Sequence, residues 1–131
     1  MKSVDEVVYL FNDNIIVVDQ NPNRDLEDIK AYLSRVEFLL QERKTKQSVV
    51  LNTENVRRPN TEMRIYIRKR MKELKDKFDH IAICSGKKQF ANTTASFLLG
   101  FIGYKNYSVH TTFEESIDFL LKFYDQTLKN N

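Results

Sequence analysis

The chain has 131 residues, 41% hydrophobic and 30% charged, with a formal net charge of +3 at neutral pH. That length suits one domain with a core that needs no staples, and a lone cysteine, Cys84, excludes an internal disulfide and favours a reducing compartment. No apolar run nears the roughly 20 residues that cross a bilayer. Charges at Lys2, Asp5, Glu6, Asp13 and Asp19 rule out a signal-peptide core, so a cytoplasmic protein is expected.

Val7 to Phe11 and Ile15 to Val18 read as two strands joined by Asn12-Asp13-Asn14. Asn and Asp tolerate positive φ and bond their own backbone, so this linker predicts a hairpin. Asn21-Pro22-Asn23 then forces a turn. Asp25 is the expected N-cap of a helix from Leu26 to about Lys44, in which Leu26, Ile29, Leu33, Val36 and Leu40 form one apolar stripe. Val49, Val50 and Leu51 mark a strand buried on both faces.

After a polar turn from Asn52 to Asn60, a basic amphipathic helix is expected, capped by Asn60 or Thr61. Met63, Ile67, Met71, Leu74 and Phe78 would supply its buried face. The plan then repeats, with a strand from Ile81 to Cys84, a turn Ser85-Gly86-Lys87-Lys88 and a helix from Gln89 that Gly103 can close in the left-handed conformation. A last strand, Tyr107 to Thr111, leads to Thr112-Phe113-Glu114-Glu115, where Glu115 stands three residues after a threonine, as a capping box requires. Ile117, Leu120, Leu121, Tyr124 and Leu128 are expected to face inward.

Successive strand–loop–helix units build a parallel sheet whose functional loops lie at the carboxyl ends of its strands. The predicted class is therefore α/β: a single domain over 1–131, with a mainly parallel sheet, an N-terminal antiparallel hairpin and about four helices. The strand ends at Asn52 and Cys84 are expected on one edge of that sheet.

Three segments resemble the STAS fold (sulphate transporter and anti-sigma factor antagonist), in particular its small stand-alone bacterial members. Ser48-Val49-Val50-Leu51-Asn52-Thr53-Glu54-Asn55-Val56 is similar to that family's central strand, and His80-Ile81-Ala82-Ile83-Cys84-Ser85 to the next. Phe113-Glu114-Glu115-Ser116-Ile117-Asp118-Phe119-Leu120 resembles the closing helix. The resemblance implies a STAS-like regulatory or scaffolding module that acts through a protein partner and has no catalysis of its own. It departs from the family in two places. Asn52 replaces the strand-end Asp, and the phosphorylatable serine is missing, with Thr61 the nearest hydroxyl.

Between Arg57 and Lys77, nine Lys and Arg face only Glu62, Glu73 and Asp76, a local balance of +6. Arg57, Arg58 and Arg64 surround the start of the basic helix, with Asn60 and Thr61 at its cap. Free backbone N–H groups, the helix dipole and guanidinium donors all favour an anion there, and the alternative is a solvated basic face. An anionic or lipid ligand at this point is the second functional expectation. For the remaining basic residues, Arg68, Lys69, Arg70, Lys72, Lys75 and Lys77, the only aromatic ring between Arg57 and Lys77 that could stack a base is Tyr66, so nucleic acid is not expected.

Phe90, Phe97, Phe101 and Tyr104 are expected on a second apolar stripe of the helix from Gln89, either a sandwiched core face or a surface for self-association. Ser85-Gly86-Lys87-Lys88 has one glycine and no hydroxyl after its lysine, so it does not make a Walker loop. One Cys and two His offer no zinc spacing. Cys84 and His80 stand four residues apart on one strand, about 13 Å, too far to pair. No catalytic residue, metal or cofactor is expected.

Overall fold

The structure, a computed structural model, describes residues 3–19, 25–43, 45–53, 59–86 and 103–124. Its elements in chain order are α1 (Val4–Val7), β1 (Val8–Phe11), β2 (Ile15–Asp19), α2 (Leu26–Gln41), β3 (Gln47–Asn52), α3 (Thr61–Leu74), β4 (Phe78–Cys84), β5 (Tyr107–His110) and α4 (Phe113–Phe123). A 3-10 turn, Lys75–Lys77, joins α3 to β4. The strands form one sheet in the order β1-β2-β3-β4-β5. The β1–β2 pair is antiparallel and every later pair is parallel.

Local chemistry accounts for most of these elements. Asn12 and Asp13 take φ of 52° and 58°, the left-handed values that let a short linker reverse a hairpin. Asp25 caps α2, its carboxylate accepting from the Asp28 N–H at 2.9 Å. Asn60 caps α3 in the same way, through the Met63 N–H at 2.9 Å. Thr112 caps α4 by accepting from the Glu115 N–H at 3.1 Å, while the Glu115 carboxylate reaches past the cap to the Thr111 N–H at 3.3 Å. Gly103 sits at φ +78°, a conformation that disfavours any side chain. The helix it was expected to close lies outside the described residues.

The sheet is covered on both faces, and strand alternation decides which residues meet which helices. Ile16, Val18, Val49, Ile81 and Ile83 face α2 and α3, where Ile29, Tyr32, Val36, Leu39, Leu40 and Leu74 close one core. Ile15, Val17, Val50 and Ala82 face the other way, toward Ile117 and Leu120 of α4. Crossovers β2–α2–β3 and β3–α3–β4 share one face, as successive crossovers of the same hand must in a sheet laid down in sequence order. The final helix is left to cover the other.

The expected class and the shared edge of Asn52 and Cys84 are both present, since these two residues are register partners. Several details differ. Val7 ends the α1 turn, where the Glu6 carboxylate accepts from the Ser3 N–H and hydroxyl, instead of opening β1. α2 stops at Gln41, short of Lys44, and its buried face includes Tyr32 and Leu39. β4 starts at Phe78, so this ring is a strand residue and not the end of the α3 face. Its register against β3 shifts between Gln47 and Ser48, which brings Phe78 onto the same face as Ile81. Leu51 is half-buried where full burial was expected, because β3 is deepest from Gln47 to Val50. The Asn21-Pro22-Asn23 turn, the helix from Gln89 and Leu128 lie outside the described residues.

Candidate functional site

The carboxyl ends of β2, β3, β4 and β5 align in one row: Asp19, Asn52, Cys84 and His110 are successive register partners. The row is stitched along its rim. Asn52 Nδ2 donates to the Asp19 carboxylate at 3.0 Å. The Thr53 N–H and hydroxyl both donate to the Cys84 carbonyl, at 2.7 and 2.9 Å. The Ser85 N–H donates to the His110 carbonyl at 3.1 Å. Thr53, Cys84 and Ser85 are buried, and the Cys84 thiol is directed to the Thr111 carbonyl at 3.8 Å. Asn52 thus supplies the donor that the Asp19 carboxylate accepts.

α3 starts at this edge and runs back toward the amino ends of the strands. Its first turn is exposed at Asn60, Thr61 and Glu62. Arg64 follows one turn on, and its Nη2 donates to the Thr61 hydroxyl at 3.2 Å. Of the residues expected to form an anion site, the structure therefore brings Asn60, Thr61 and Arg64 together. Arg57 and Arg58 lie outside the described residues, as do Phe90, Phe97 and Phe101 of the expected interface stripe.

The basic stripe is partly spent within the fold. Arg70 bonds Glu37 of α2 at 3.1 Å and Glu73 at 3.0 Å, with its side chain only 16% exposed. These bonds, to Glu73 first and then Glu37, raise the Arg70 pKa further above its ordinary value. Arg70 is thus a strut between α2 and α3 and not a free surface cation.

Sequence reasoning missed a second cluster. The β4–β5 register pairs Ala82 with Ser108 and Cys84 with His110. Alternation then puts His80, Ser108 and His110 on the α4 side. His80 Nε2 lies 2.8 Å from the Ser108 hydroxyl, and His110 Nε2 lies 2.6 Å from it on the other side. One hydroxyl can donate to one imidazole and accept from the other only when the two rings are opposite tautomers. Aromatic rings cover the pair: Tyr124 stacks on His80 at 4.4 Å and 20°, and Phe119 packs at 5.2 Å from His80 and 5.0 Å from His110.

Burial, and then the neighbouring His110, push the His80 pKa down from 6.5 to about 4, against the opposing pull of Asp79. Burial lowers His110 as well, against Glu115. Both rings are neutral at pH 7, which suits a shared hydroxyl. His80 Nδ1 is buried without a hydrogen-bond partner among the described residues. The cluster reads as a polar clamp joining β4, β5 and α4.

Among the described residues no group of three or more His, Cys, Asp and Glu gathers as a metal site, and no helix is long and apolar enough to cross a membrane. No protein-family model matches the chain, and no curated protein matches it.

Proposed function

We propose that the chain is a STAS-like regulatory module without catalysis of its own, and that it binds a protein partner at the carboxyl edge of its sheet. The observation that carries this reading is the exposed first turn of α3, where Asn60 caps the helix and Arg64 holds the Thr61 hydroxyl beside that edge. The neighbouring rim is closed by its own hydrogen bonds. Among the described residues it offers a stable contact surface. A phosphate on Thr61 would meet the positive end of the helix dipole and the Arg64 guanidinium, so the same turn suits regulation by modification.

A photo-crosslinking residue at Glu62, in the exposed first turn, tests this in the cell of origin against the same residue at Asp118, exposed on α4. A discrete adduct from position 62 that is absent from 118 is expected, and it should weaken in Arg64→Ala. No adduct from position 62, or equal adducts from both positions, would overturn the reading.

A further inference from the structure

The two faces of the sheet are held by different chemistry. α2 and α3 close an apolar core on one of them. On the other, Ser48, His80 and Ser116 are buried beside Ile15, Val17, Val50 and Ala82, and α4 buries only two large hydrophobic side chains, Ile117 and Leu120. α4 also follows β5, the flanking strand, and joins no two described strands. It can lift while the sheet and the α2 and α3 crossovers stay paired.

The polar seam under α4 tolerates neutral rings and not charged ones. A cationic imidazole carries an N–H on both nitrogens. With His80 and His110 both protonated, each Nε2 donates toward Ser108, and the hydroxyl proton loses its acceptor in the clamp. His80 Nδ1, buried without a partner among the described residues, would then hold an N–H with nothing to receive it. Phe119 and Tyr124 lie over the rings, so water reaches that charge only when α4 moves. The charged neighbours are Asp79 of β4, which favours a proton on His80, and Glu115 of α4, which favours one on His110; burial outweighs both. Tyr124 of α4 and Cys84 of β4, the register partner of His110, are the other titratable side chains beside the rings. β3 contributes Ser48, the uncharged register partner of His80.

We propose that the clamp is an acid latch: protonation of His80 and His110 lifts α4 and uncovers Ile15, Val17, Val50 and Ala82, while the strands and their other cover stay folded. With α4 lifted, both rings meet water and regain their ordinary affinity for protons, so acid favours the open form. Between pH 6 and pH 5 His80 alone should raise the open population about sevenfold. The test is amide hydrogen exchange at these two pH values, with protection corrected for the intrinsic rate at each. Residues 117–121 should be less protected than residues 49–51 and 81–83, because α4 opens alone, and their protection should fall by about sevenfold or more as the pH drops. His80→Gln, checked for folding by circular dichroism, should lose about that factor, and His110→Gln should lose part of the fall. His110 is the less buried ring, so its variant keeps the test in hand if His80→Gln does not fold. Equal protection in α4 and the central strands, or a fall as steep as the native one in either folded variant, would overturn the latch.

Discussion

His80 is 4% exposed and its pKa lies near 4, well below the 6.5 of an ordinary imidazole. The folded chain resists the proton that the unfolded chain accepts. Above pH 6.5 the ring is neutral in both states and its contribution to stability is complete. As pH falls from 6.5 to about 4, the unfolded state binds more protons, so stability is lost across that window. The full difference corresponds to about 3 kcal/mol. Urea midpoints measured from pH 7 to pH 4 should therefore fall, and fall less steeply in His80→Gln. Parallel profiles for the two proteins would assign the acid sensitivity to other groups.

Other residue effects are smaller. Thr53→Val keeps the shape and the backbone bond to Cys84 but removes the hydroxyl bond. A loss of about 1 kcal/mol is expected in the denaturation midpoint. The caps at Asp25, Asn60 and Thr112 were legible in the sequence because capping is decided within four residues. The His80–Ser108–His110 clamp was not, because its members meet only through the β4–β5 register.

For single elements, the two cores separate what strand burial means. Leu120 of α4 is fully buried against Val50 and Ala82, so Leu120→Ala should cost about 2–5 kcal/mol by urea unfolding. Leu51 looks equally apolar in sequence but is half-buried, and Leu51→Ala should fall below that range. If the two variants proved equally destabilised, the ranking of the two positions by burial would be wrong. The α2 stripe shows a similar limit. Heptad-like spacing identified Ile29, Val36 and Leu40, yet Tyr32 and Leu39 are also buried because α2 packs against α3 as well as the sheet.

Across the whole molecule, β2, β3 and β4 are interior to the described sheet and β1 and β5 flank it. Central strands open only when the domain does, whereas edges fray. Amide hydrogen exchange should therefore be slowest in residues 49–51 and 81–83, and measurably faster in β1 and β5. Equal protection across the sheet would mean that the edges are covered by further structure.

The sequence by itself determined the order of the five strands with α2, α3 and α4, though not the short α1 turn, and with it the caps, the hairpin reversal and the α/β class, because each rests on contacts or periodicities within a few residues. It also placed Asn52 and Cys84 on one edge, since repeated crossovers leave parallel strands little alternative. Tertiary structure alone decided which side chains meet. The Arg70 strut between α2 and α3 and the imidazole clamp depend on register and on how far each helix runs along the sheet. Alternation assigns a residue to a face, but only pairing across strands assigns it a neighbour, and that pairing is set by packing over the whole domain.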